Sequence, residues 1–172
     1  QKESDDVVAS LNWLINEKEI PTSKIGIYGS SLGALVGLLT PVKSNNFQAL
    51  AVVDAPFDFE TLVREEMEYQ GFPPLLFEPL YHYVLLFERI NLLENSPEGS
   101  LEASKKQPIL IFNGLKSDRV LPHHTDDLIK AANDNSIKTE IHRYDVGHTR
   151  VMYEKPDEFS NLLINFFTNE LN

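Results

Sequence analysis

The chain has 172 residues, enough for one domain with a sizeable core, and 42% of them are hydrophobic. A formal net charge of −11 with no lysine-rich or arginine-rich run argues against binding nucleic acid or docking on anionic membranes. The absence of cysteine excludes disulfides, thiolate catalysis and Cys-ligated zinc, and no apolar run reaches the length of a membrane span.

Val7, Val8, Leu11, Leu14 and Ile15 recur at helical spacing, with Ser4 as the expected cap and Asp5 and Asp6 suited to the first turn. The opening residues, Gln1-Lys2-Glu3-Ser4-Asp5, lack Met and any apolar signal core. This leaves the compartment open, with a lean toward the cytoplasm, and does not read as a natural start. After Pro21, the run Ile25-Gly26-Ile27-Tyr28 predicts a buried strand, and Leu32 to Leu39 predicts a buried helix stopped by Pro41. Ala49 to Val53 is continuously apolar, as in a parallel strand covered on both faces.

Phe57 to Asn95 differs in character. It is rich in large apolar and aromatic residues and broken by Pro73, Pro74 and Pro79, which predicts two or three bent helices. It reads either as a buried helical layer or as a cap, in which Phe57, Phe77, Tyr81 and Leu85 would line an apolar acyl pocket. Ser96 to Gln107 reads as a polar connector, and Pro108 to Phe112 as the third strand. Pro122 fits the first position of a helix running from about Thr125 to Asn133. Lys138 to Tyr144 alternates as a fourth strand, and Pro156 opens a final helix bearing Phe159, Leu162, Leu163, Phe166 and Phe167. Strands alternating with helices predict a single α/β domain over residues 1–172, with a mainly parallel sheet flanked by helices and a helical insert at about 57–95.

The stretch Gly29-Ser30-Ser31-Leu32-Gly33 sits between the first strand and its helix. Strand, G-x-S-x-G and helix together form a nucleophile elbow, which presents Ser31 on a strained turn and aims the Leu32 N–H at a developing oxyanion. Glycine at 29 and 33 is expected to avoid collisions across the turn. Serine needs a neutral imidazole to take its proton and a carboxylate to fix that imidazole. In an open parallel sheet such groups come from loops at the carboxyl ends of strands. Asp118, after the third strand, and His148, after the fourth, qualify. Asp145 is the rival acid, three residues before His148, while Asp126 falls on a helix surface. His123 and His124 belong to a helix start, His82 to the insert and His142 to the fourth strand. No metal cluster, phosphate loop or dinucleotide fingerprint is legible, so neither metal nor cofactor is expected.

Together these stretches resemble the C-terminal part of an α/β-hydrolase of the small serine esterase and peptidase type. Gly29 to Gly33 matches the elbow, Asn113 to Pro122 resembles the acid loop, and Gly147-His148-Thr149 resembles the histidine loop. Asn113 departs from the usual His. The resemblance implies hydrolysis of carboxylic esters by Ser31, Asp118 and His148, with a small ester or short peptide as substrate. A peptidase or thioesterase is the alternative within that class, and an unused hydrolase-like binding module the alternative outside it. It also implies strands N-terminal to this sequence. One of these would carry the second oxyanion donor, and either they or a second copy of the chain would cover the edge of the elbow strand.

Overall fold

The computed structural model describes residues 2–83, 86–87 and 96–171. Its order is α1 (Lys2–Asn16), β1 (Gly26–Ser30), α2 (Leu32–Leu39), β2 (Ala49–Val53), α3 (Phe59–Tyr69), α4 (Phe77–Tyr83), α5 (Pro97–Ala103), β3 (Ile109–Gly114), α6 (Pro122–Asp134), β4 (Thr139–Tyr144), α7 (Val151–Glu154) and α8 (Pro156–Glu170). The four strands pair in sequence order, β1-β2-β3-β4, all parallel.

Side chains alternate across a strand, so the apolar run of β2 supplies two cores at once. Leu50 and Val52 join Ile109 and Ile111 of β3 beneath Leu11, Leu38, Leu101 and Leu128 of α1, α2, α5 and α6. Ala49, Ala51 and Val53 join Leu110 and Phe112 on the other face, under Val151 of α7 and Phe159 and Phe166 of α8. The expected parallel α/β architecture is present. Three local expectations are corrected. Residues 26–30 form the outer strand of the sheet rather than a buried one, with Tyr28 42% exposed. Ser4 lies inside α1 and is buried rather than capping it. The stretch 97–103 is a helix, not a connector, capped by Ser96, whose Oγ accepts the Gly99 N–H. Its single large apolar residue, Leu101, is buried, which is too little periodicity to announce a helix.

The insert contains α3 and α4. Asp58 caps α3, accepting the N–H groups of Glu60 and Thr61. Phe77, 3% exposed, anchors α4 beneath the Arg64 guanidinium at 3.7 Å and stacks on Tyr81. Leu75, Leu80, Leu86 and Phe87 beyond it are exposed. Because the strands are parallel, their C-terminal ends lie along one edge of the sheet, and the loops there come together.

Candidate active site

Each of the four strands delivers one polar side chain to this edge: Ser31 after β1, Asp54 after β2, Ser117 after β3 and His148 after β4. Ser31 occupies the left-handed region at φ 53° and ψ −121°, which is costly for a residue with a Cβ and points the hydroxyl out of the strand end. Its N–H is anchored on the Val53 carbonyl at 2.9 Å. A Cβ on Gly29 would stand 2.3 Å from the Gly33 carbonyl oxygen, so the turn closes only with glycine there. Gly33 has open space around its Cα, so the expected collision holds for Gly29 alone.

Ser31 Oγ lies 2.9 Å from His148 Nε2, the hydrogen bond through which a serine gives up its proton. The first residue of α2, Leu32, has no intrahelical acceptor for its N–H, which stands beside Ser31 at the positive end of the helix. Both residues border a cleft of about 500 Å³. Its apolar wall is Pro56, Leu62, Val63, Met67 and Val120, and its polar wall is the Glu66–Arg119 pair. That pair is bidentate, with two N–H···O bonds of 2.8 Å. A hydrogen bond from Gln70 and the Arg119 charge hold the Glu66 carboxyl below the usual carboxylate range.

The other ring nitrogen of His148 does not meet the expected acid. Nδ1 lies 3.0 Å from Ser117 Oγ and 3.7 Å from Asp54 Oδ2. Asp118 is exposed, and among the described residues no hydrogen bond or ion pair joins it to His148. Asp145 is exposed and paired with Lys116, and Asp126 is paired with Arg143. Asp54 is 1% exposed and sits at φ 44°. It accepts the Gly114 N–H at 2.7 Å, the Thr149 N–H at 2.6 Å and the Asn113 side-chain amide at 3.3 Å. Burial pushes the His148 pKa down, Asp54 pulls it back up, Arg119 lowers it and Asp118 raises it slightly. The net effect keeps the imidazole neutral, as a base requires.

A profile of the prolyl oligopeptidase family matches residues 1–172. The chain belongs to the prolyl oligopeptidase family. Solved structures place it among α/β-hydrolase folds. An esterase of Pyrococcus furiosus superposes with a TM-score of 0.76 at 20% identity, over 100% of this chain and 63% of that one. A puromycin-hydrolyzing peptidase of Mycobacterium tuberculosis gives 0.76 at 18% identity, over 99% of this chain and 26% of that one. An acylaminoacyl peptidase of Pyrococcus horikoshii gives 0.71 at 17% identity, over 98% and 28%. This prolyl oligopeptidase family chain thus spans under two thirds of each of these relatives. No curated protein sequence matches it.

Of the pocket residues expected in the insert, none described lines the cleft. Phe57 packs toward the sheet core, Phe77 is buried beneath Arg64, and Tyr81 stacks on Phe77. Leu85 lies outside the described residues. The insert does reach the site, through Leu62, Val63, Glu66 and Met67 of α3. Glu65, His123 and His124 bring three possible metal-ligand atoms within 4.8 Å of one another. His124 Nδ1, however, accepts the Phe57 N–H at 3.3 Å, which puts the ring proton on Nε2, facing Glu65 at 3.1 Å. A nitrogen so protonated has no lone pair for a metal, and the trio instead straps α3 to α6.

Asp54 and Ser117, which stand at His148 Nδ1, are not among the residues expected from the sequence. Asp54 precedes Ala55-Pro56 and reads as the turn that ends a strand. The usable signal was its place at the carboxyl end of a central parallel strand.

Proposed function

We propose that this protein is a serine hydrolase that cleaves carboxylic esters through an acyl-enzyme. The observation that carries the reading is Ser31, strained at φ 53°, with its Oγ 2.9 Å from His148 Nε2 at the mouth of a largely apolar cleft. Ser31 Oγ attacks the carbonyl carbon while its proton passes to His148 Nε2. The oxyanion accepts a hydrogen bond from the Leu32 N–H. Collapse of the tetrahedral intermediate breaks the bond to the leaving group, which takes the proton from His148. Water, deprotonated by His148, then attacks the acyl-serine and releases the acid.

Peptide hydrolysis is the second reading. It is favoured by the family and by the peptidases among the relatives, because the same machinery accepts an amide when its leaving nitrogen is protonated. Thioester cleavage needs no different side chains. The second oxyanion donor we assign to a strand beside the outer edge of β1, from another segment or a second copy. Losing one such donor typically costs about two to three orders of magnitude.

The test is labelling with a fluorophosphonate probe. A serine activated as described is labelled, Ser31→Ala abolishes the label and Ser30→Ala keeps it. An unlabelled wild-type protein, assayed with any partner strand present, would favour a binding module with an unused site.

A further inference from the structure

We propose that Asp54, rather than Asp118, is the anion that serves His148, and that Ser117 holds the plane of its imidazole. The inference rests on the Ser31–His148 reading above. To accept the Ser31 proton, Nε2 must carry a lone pair, so the ring proton sits on Nδ1 and needs an acceptor. The hydrogen-bonding partner at that nitrogen is a hydroxyl, Ser117 Oγ at 3.0 Å. In that tautomer Ser117 Oγ accepts from Nδ1 and from the Val120 N–H, the latter at 3.3 Å, and its own proton is turned away from the ring. Ser117 therefore fixes where the ring plane lies.

A neutral hydroxyl cannot balance the imidazolium that forms when His148 takes the proton. A charge must stand nearby, and Asp54 Oδ2 is 3.7 Å from Nδ1, in a side chain 1% exposed. Among the described residues, the three hydrogen-bonding partners of Asp54 are N–H donors, the complement of an acceptor-only carboxylate. The Thr149 donor adjoins His148 itself, so Asp54 also clamps the backbone that carries the ring. The approach is tight. A Cβ on Gly114 would lie 2.8 Å from the Gly147 carbonyl oxygen, and Asn113 leaves its own side-chain oxygen buried without a partner while its amide serves Asp54. Asp118 points into solvent, where its field is screened. The charged groups acting on the ring are thus Asp54 from the end of β2 and Arg119 and Asp118 from the loop after β3. Two tasks that one carboxylate usually combines, orienting the ring and offsetting its charge, are divided between two strands.

The experiment follows the NMR titration of His148 and, in parallel, kcat/KM on a p-nitrophenyl ester, in the wild type, Asp54→Asn, Ser117→Ala and Asp118→Asn. Asp54→Asn is expected to lower the His148 midpoint and cut kcat/KM about 100-fold or more, mostly in kcat. Ser117→Ala costs about tenfold. Asp118→Asn costs at most about threefold, with the smaller shift in midpoint. Ser117→Asp should restore part of the activity lost in Asp54→Asn, which a merely structural Asp54 would not allow. If Asp54→Asn does not fold, the exposed Asp118→Asn decides alone, since a 100-fold loss there overturns the proposal and retention of a third of the activity supports it. A larger midpoint shift in Asp118→Asn than in Asp54→Asn also overturns it. The midpoints report which carboxylate faces the ring even if no ester is cleaved, so failure of the hydrolase reading is seen separately.

Discussion

The strand ends and the α3–α4 insert face each other across the cleft and are built by opposite means. At the strand ends, polar groups are buried and held by backbone N–H donors, as Asp54 is by Gly114 and Thr149. In the insert, the buried aromatic Phe77 lies beneath Arg64, which pairs in partly exposed contacts with Glu60 and Glu78, and Glu66 reaches Arg119 of the loop after β3. Exposed pairs of this sort contribute about 0–1 kcal/mol each. The difference separates a part whose geometry the sheet dictates from a part that borrows its place from a few contacts. Chemistry should belong to the first and selectivity to the second.

The largest break in that comparison is Ser31→Ala. Turnover is expected to fall by about 10⁴-fold or more. The thermal midpoint should barely move, because the described partner of the hydroxyl is the His148 ring, which Ser117 still holds from its other nitrogen. Kinetics set beside a melting curve check this, and comparable activity in the mutant removes Ser31 from the mechanism. Next is Phe77→Ala, expected to cost about 3–5 kcal/mol where the insert is cooperative with the sheet. If the insert is the separable part, hydrogen exchange should show α3 and α4 losing protection while β2 and β3 keep theirs.

A smaller effect is expected from pH. Burial is the main reason the His148 pKa is lowered, so the acid limb of kcat/KM should fall below the ordinary histidine value of ~6.5. The sign for stability follows. The unfolded chain binds this proton more readily than the folded one, so His148 destabilises the fold as pH drops through ~6.5. An acid limb above that value would contradict the burial. The smallest effect is Leu62→Ala, which widens the cleft wall on α3. It should shift preference toward longer acyl chains by a few-fold, about 1 kcal/mol between neighbouring homologues. Phe77 does not line the cleft, so its variant should leave that preference alone at temperatures where α3 stays folded. A profile over esters of increasing chain length compares the two.

The elbow was legible because a turn so tight leaves its mark as Gly29 beside an apolar strand and an apolar helix. His148 was legible from its place after a strand. Which of two adjacent loop residues faces the ring was not, because rotation of the loop after β3 turns Ser117 inward and Asp118 outward. No residue pattern encodes that rotation. The open edge of β1 was legible from the first helix leading straight into the elbow strand, whereas its partial burial was not, since Ile27 and Tyr28 are as apolar as a covered strand requires. In the insert, composition announced helices, but the choice between Phe77 and Met67 as the residue facing the cleft depends on how α3 lies across α6.

Ser31, Asp54 and Thr149 all have positive φ, at 53°, 44° and 55°, and none is glycine. Each such residue holds about 1–3 kcal/mol of backbone strain that the surrounding structure must sustain. The strand ends therefore resemble a drawn spring, and its tension is opposed by the packing of β2 and β3 beneath them. On heating, the first small gain in backbone freedom should be spent there, letting these residues relax toward negative φ while the helices remain wound. If the protein is the hydrolase proposed above, loss of catalytic competence should then precede the loss of helical signal by several degrees, and its working temperature would be set by its strand ends and not by its melting point.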